Sequence, residues 1–423
     1  LFDDMLPDPL AVNEWIQNDS ELRDLSGNAD IVFQLHSRLG TTWTVNTRDG
    51  DTTIAKAQSG DEAAFRIELD ASDWSALLAS NPSPGKQHVA AFVSPRGSGT
   101  VSGSEESYAQ HLHLVRRVLE IAAARPDSAP PAERSLDHVV GRYARTHVES
   151  WGDCDIYYES AGDGLPVILL ATAGSDNRQY HGLMSDPQLT SKYRLIAPDL
   201  PWHGKSMPAA GRRGSDYSLT TRTYTDCIAN FIQALRLPEK PVLVGASMAG
   251  AVVVEMAALH PGLLHGVVGS QAGPRVSNRL SKWLRNPKVN QTLHVPEWTY
   301  GLMSPNSPKT DRDRVWWGYS QGGYGVYERD IEYYSTSWDI DNIAHLFDES
   351  TPPVVLMNGI YDYSVPPEAT RELASRIPYA VYREMPELGH FPHAENPEVF
   401  SQHLRWALDA IQQQHKTSKT QQA

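Results

Sequence analysis

The distribution of apolar positions changes character along the chain. In the first 124 residues short apolar segments alternate with polar ones. Phe65, Ile67 and Leu69 are separated by single polar residues, as in a strand with one face buried. Residues 31–35 (Ile-Val-Phe-Gln-Leu) and 42–47, around Trp43 and Val45, predict two further strands, and Asp49-Gly50-Asp51 a turn after them. Asp70-Ala71-Ser72-Asp73 offers caps for a helix carrying Trp74, Leu77 and Leu78. A further strand is expected over His88–Val93. A helix is expected over Tyr108–Ala124, where Leu112, Val115, Leu119 and Ala122 recur at helical spacing. Together these elements predict a small α+β domain over residues 1–124.

From about residue 146 strands alternate with helices. Strands are expected at 154–159, 167–170, 194–197, 242–244, 267–269, 354–357 and 380–384, and helices at 220–236, 248–259, 367–376 and 397–412. Several strands are unbroken apolar runs, as when both faces are covered. The alternation predicts an α/β domain with a doubly wound, mostly parallel sheet over 136–414. The proline-rich stretch 125–135 reads as a linker, and the polar residues 415–423 as a flexible tail. Between residues 275 and 346 the rhythm stops, in an insertion between the sixth and seventh strands. It carries Trp298, Tyr300, Trp316, Trp317, Tyr319, Tyr324, Tyr327, Tyr333, Tyr334 and Trp338, with Gly318, Gly322, Gly323 and Gly325 among them. Such a cap suits a bulky, partly apolar or aromatic substrate, and its glycines would let part of it move as a lid. More than half of these aromatics are expected to pack cap against core.

With 423 residues, 40% hydrophobic and 21% charged, the chain has the composition of a globular protein of two or three domains. Its net charge of −14 disfavours nucleic acid and anionic membranes as partners. No apolar run approaches the roughly 20 residues of a membrane span. Cys154 and Cys227 allow one disulfide but no disulfide framework, which favours a reducing, cytoplasmic setting. The first residue is Leu1, which leaves room for a trimmed targeting segment. Two glycosylation sequons, at Asn18 and Asn290, are of a kind common by chance. No metal cluster or phosphate loop stands out, so neither a metal nor a cofactor is expected.

Three segments carry candidate chemistry. Val242-Leu243-Val244-Gly245-Ala246-Ser247-Met248-Ala249-Gly250 sets a serine between a buried strand and a helix. A sharp turn there exposes the hydroxyl, and the helix N-terminus favours developing negative charge. Leu388-Gly389-His390-Phe391-Pro392-His393 follows the last expected strand, and Met357-Asn358-Gly359-Ile360-Tyr361-Asp362 follows the strand before it.

The first segment resembles the nucleophile elbow Gly-x-Ser-x-Gly of the α/β-hydrolase superfamily, with Ala249 where glycine is usual. The second resembles that superfamily's catalytic-histidine loop. Asp362 stands where relatives carry their acid, in the chain order Ser, Asp, His of this fold. Pro198-Asp199-Leu200-Pro201-Trp202-His203-Gly204-Lys205-Ser206 resembles a further, structural signature, with Trp202 replacing a glycine. The resemblance covers about residues 146–412 and implies a catalytic triad: Ser247 as nucleophile, His390 as general base, and Asp362 orienting His390. His393 would be structural or pocket-lining. The oxyanion hole would use the backbone N–H groups of Met248 and Ala173, with Thr172 as the alternative to Ala173. The loop 169–175 lacks the His-Gly found in many relatives; Thr172 and Ser175 could touch substrate.

Residues 29–124 loosely resemble a sterol-carrier-protein-2-like domain, in the Trp43 strand, the Asp49-Gly50 turn, the 65–69 strand and Ser72-Asp73-Trp74 with Leu77-Leu78. That implies an apolar ligand cavity or a route to a homo-oligomer; the plainer expectation is a structural appendage. For the whole chain the leading reading is hydrolysis of an ester or lactone through an acyl-enzyme. The alternatives are hydrolysis of a carbon–carbon bond next to a ketone and, from another class, a non-catalytic lipid-binding protein.

Overall fold

A computed structural model describes residues 9–27, 29–38, 40–125, 130–131, 133–277 and 279–422. They build two sheets. The first holds β1 (Asp30–Ser37), β2 (Thr42–Arg48), β3 (Asp51–Lys56), β4 (Phe65–Leu69) and β5 (Thr100–Gly103), in the order β3-β2-β1-β4-β5. Only β1 and β4 run parallel. Period-2 burial in β4 sends Phe65, Ile67 and Leu69 inward, where Phe33 stacks on Phe65 with ring centres 5.1 Å apart. Helices Pro9–Asn18, Ser20–Ser26 and Leu112–Ala122 supply Val12, Leu22, Val115 and Val118 to this core.

The expected strand at 88–93 is instead a short helix, Val89–Val93. The His88 imidazole accepts the Ala90 N–H at 3.1 Å and caps it. A five-residue apolar run does not by itself distinguish the two forms. The helix expected over 108–124 is broken at His111 into Glu105–Gln110 and Leu112–Ala122. The polar strands β3 and β5 and the two leading helices had no apolar pattern strong enough to announce them. Part of the expected linker, residues 126–129 and 132, lies outside the described residues, as does Ala423.

The second sheet holds β6 (Val140–Val148), β7 (Gly152–Ala161), β8 (Leu165–Leu170), β9 (Tyr193–Pro198), β10 (Val242–Ala246), β11 (Gly266–Ser270), β12 (Val354–Gly359) and β13 (Val381–Met385). Its order is β13-β12-β11-β10-β8-β9-β7-β6, parallel except where β7 meets β6 and β9. This is the α/β-hydrolase fold. One face packs on Phe231, Val252 and Leu373, the other on Met184, Phe400 and Leu404. Every residue of β10, β11 and β12 is buried, which explains their unbroken apolar runs. The edge strand β6 is mostly exposed and lacks such a run. Gly250 lets helix Met248–Leu259 press onto β11, since a Cβ there would stand 2.3 Å from the Ser270 carbonyl oxygen. The last helix continues through the expected tail to Gln422. Cys154 and Cys227 are buried free thiols. Among the described residues no helix is long and apolar enough to cross a membrane.

Between β11 and β12 lie helices Gln291–Tyr300, Lys309–Ser320 and Val326–Thr336. The first is fastened to the front of the chain. Arg116, 3% exposed, binds Glu297 at 2.6 Å, Glu120 at 2.7 Å and Glu21 at 2.8 Å, and lies over the Tyr300 ring. Gln87 Nε2 donates to the Tyr361 carbonyl at 2.7 Å, one residue before Asp362.

Candidate active site

Ser247 stands at the junction of β10 and its following helix with φ 59° and ψ −123°. A non-glycine residue held there stores about 1–3 kcal/mol of strain. The strand and helix fix it: its N–H donates to the Ser270 carbonyl at 2.8 Å, and its carbonyl accepts the Ala251 N–H at 3.0 Å. Ala249 is tolerated because Gly245 faces it, where a Cβ would meet the Ala249 backbone at 2.5 Å.

Asp362 follows β12 and His390 follows β13, so both sit at the same C-terminal sheet edge as Ser247. His390 Nδ1–H donates to Asp362 Oδ2 at 2.5 Å, while Asp362 Oδ1 accepts the N–H groups of Ser364 and Val365 at 2.8 and 3.0 Å. Burial pulls the His390 pKa below its ordinary value against the pull of Asp362, and nearby Arg279 lowers it further. A neutral imidazole can accept a proton. The His390 N–H donates to the Leu302 carbonyl, and Glu395 accepts the N–H groups of Gly389 at 2.6 Å and Ser304 at 3.1 Å, pinning the histidine loop to the cap. Burial pushes Glu395 up to about 7 despite these donors.

Met248 opens its helix, so its N–H has no partner within it. Across the site, the Thr172 N–H is taken by Gln179 at 3.2 Å and the Gly174 N–H by Asp330 at 2.7 Å. Between them lies Ala173, which is buried. His393 stacks on Tyr180 at 4.5 Å and meets Gln179 at 3.3 Å; burial lowers its pKa to about 3. His203 pairs with the buried Asp330 at 2.9 Å, away from His390. The Thr172 hydroxyl bonds Tyr319 at 2.6 Å.

Three residues in this neighbourhood were not singled out from the sequence. The Tyr334 hydroxyl lies close to the Ser247 side chain and donates to the Gln271 carbonyl at 3.2 Å. Asp330 ties the cap to the loop carrying Ala173. Arg279 brings a positive charge beside His390. In sequence Tyr334 is one aromatic among ten, and the other two read as ordinary charges.

Ser247, Asp362 and His390 are buried, at 2%, 1% and 1% exposure. A cavity of about 310 Å³ reaches from solvent to Gly174, between Val295, Tyr319 and Tyr327. A second one, also about 310 Å³, is bordered by Arg134, Asp311 and Trp317, and neither cavity is lined by Ser247, Asp362 or His390. Of the cap aromatics, Tyr300, Tyr319, Tyr333, Tyr334 and Trp338 are buried, whereas Trp317 and Tyr324 are exposed.

A family model described as the alpha/beta hydrolase family matches residues 167–403. A curated relative, the pimeloyl-[acyl-carrier protein] methyl ester esterase of Aeromonas hydrophila, is 34% identical over 116 residues, 27% of this chain and 41% of its own length. The chain therefore spans less than half of that relative. Among solved structures, a thermophilic esterase from Thermogutta terrifontis superimposes with TM-score 0.52 at 22% identity, over 64% of this chain and 99% of the other. The enol-lactonase from Burkholderia xenovorans gives 0.54 at 17%, over 63% and 100%. At these identities the superpositions establish the fold.

Proposed function

The chain belongs to the alpha/beta hydrolase family, and from that premise we propose that it is a serine hydrolase cleaving an ester or lactone of a bulky, partly apolar substrate. One observation carries this reading: a serine held at φ 59° on a strand-to-helix elbow, at the sheet edge that also carries a buried His390–Asp362 pair at 2.5 Å. Ser247 Oγ attacks the carbonyl carbon while His390 Nε2 takes its proton. Asp362 holds the other ring nitrogen protonated and stabilises the imidazolium. The oxyanion is met by the N–H groups of Met248 and Ala173. His390 returns the proton to the departing alcohol, then activates water to release the acid and regenerate Ser247. Tyr334, kept neutral by burial, stands close to the Ser247 hydroxyl. Substrate enters by the cavity at Gly174, Tyr319 and Tyr327.

The test is hydrolysis of short and long p-nitrophenyl esters by the wild type and Ser247→Ala. Loss of several orders of magnitude in kcat is expected in the variant, as for removal of a triad member. Equal rates would remove Ser247 from the mechanism. A wild type that turns over no ester, long or short, would overturn the ester reading.

A further inference from the structure

Arg279 lies between β11 and the first cap helix and points into the site. Its Nη1 donates to the Ser364 hydroxyl, two residues beyond Asp362, and its charge also reaches Tyr327, which lines the cavity at Gly174. Its charge is felt at Tyr319, Tyr334 and Tyr363 as well as at His390. Its Nε is buried without a hydrogen-bond partner. Among the described residues no carboxylate pairs with it. By contrast, the buried Arg116 is neutralised by Glu297 and Glu120, and the partly buried Arg134 by Asp311 at 2.6 Å.

An unneutralised guanidinium here works against the chemistry proposed above. The imidazolium that forms when His390 takes the proton is disfavoured by a neighbouring cation, and only Asp362 opposes it. The arrangement becomes favourable if the occupant of the site brings a negative charge. A guanidinium with a free Nε–H beside its Nη groups matches the two oxygens of a carboxylate. We propose that Arg279 is a specificity determinant that binds a carboxylate carried by the substrate, so that the natural substrate is an acidic ester or lactone. The substrate's charge would then offset that of Arg279 during proton transfer. This rests on the reading of Ser247, His390 and Asp362 as the reacting groups.

The experiment compares two p-nitrophenyl esters of equal acyl length, hexanoate and the half-ester of adipic acid, with the methyl-blocked adipate as control. Wild type should favour the free carboxylate by about 10- to 100-fold in kcat/KM, the range of a hydrogen bond to a charged group. Blocking the carboxylate should abolish the preference. In Arg279→Met the ratio of the two esters should fall towards one, mainly through KM of the acidic ester. Arg279→Lys should keep part of it. A wild type without preference for the carboxylate, or an Arg279→Met protein with the same ratio as wild type, would overturn the proposal. The wild-type comparison holds even if the variants do not fold. Binding of monomethyl adipate to Ser247→Ala, followed by calorimetry, should weaken at least tenfold when Arg279→Met is added; equal binding also overturns it. These arms stay separate from the nucleophile reading, which fails on its own if Ser247→Ala keeps wild-type rates.

Discussion

The Asp330 carboxylate takes the Gly174 N–H at 2.7 Å on the same oxygen that meets His203 at 2.9 Å. Its second oxygen accepts the Tyr217 hydroxyl. A cap helix thus holds the loop that carries Ala173, and on the mechanism proposed above Asp330 is a positioning residue. Asp330→Ala should lower kcat on a short ester by about 10- to 100-fold, less than direct loss of an oxyanion donor, with KM less affected. Steady-state kinetics alongside a thermal melt separates this from unfolding. An unchanged kcat in a folded variant would remove Asp330 from that role.

The pH profile follows from His390. Burial depresses its pKa, Arg279 adds to that, and Asp362 resists. A base with a lowered pKa becomes competent at lower pH, so kcat/KM should rise through a midpoint below the ordinary histidine value and be flat at neutrality. Asp362→Asn should cost about 10⁴-fold in kcat by disturbing the tautomer. A wild-type midpoint above neutrality would contradict the assignment of His390 as base.

Glu255 should make the protein less stable as pH rises. Burial pushes its folded pKa up to about 7 from 4.5, against hydrogen bonds from Tyr333 and Thr221. The unfolded chain therefore releases the proton first. This group's contribution is most favourable below pH 4.5 and is lost as pH climbs through about 7. Glu255→Gln should flatten the stability curve over that window by up to roughly 3 kcal/mol. Denaturant titrations at pH 5 and 8 would decide; parallel curves for the two proteins count against it.

Arg116→Met should destabilise the fold by about 3–5 kcal/mol, because Glu297, wholly buried, would be left without its cation. Adding Glu297→Gln should recover part of the loss. If single and double variants melt within about 0.5 kcal/mol of wild type, the pair contributes nothing measurable.

The sheet was legible where burial is two-sided. The runs at 242–246, 267–269 and 354–357 have no polar interruption because helices cover both faces. The elbow was legible because its geometry demands small residues in fixed places. The exposed β6 and the polar β3 and β5 leave no comparable trace. The short helix at 89–93 was misread because a capping histidine, rather than periodicity, decides it. Asp330 and Arg279 were illegible for another reason. Their partners are distant in sequence, Gly174 by 156 residues and Ser364 by 85, and no local pattern distinguishes them from surface charges. Trp202 differs: the sequence marks it as standing where glycine is usual, and it adopts φ 70°, held by Trp151 at 5.2 Å and by its Nε1–H bond to the Arg213 carbonyl.

The bond between Arg116 and Glu297 also bears on how the chain can be divided. A fragment starting after the proline-rich stretch would keep Glu297, with Trp316 donating to it at 2.7 Å, but would lose its cation. His294 would lose the Ala109 carbonyl it meets at 3.1 Å. The cut surface would expose an acidic side chain shaped for an interior, together with the apolar wall around it. A truncated hydrolase would inherit a wound where the intact protein has a seam.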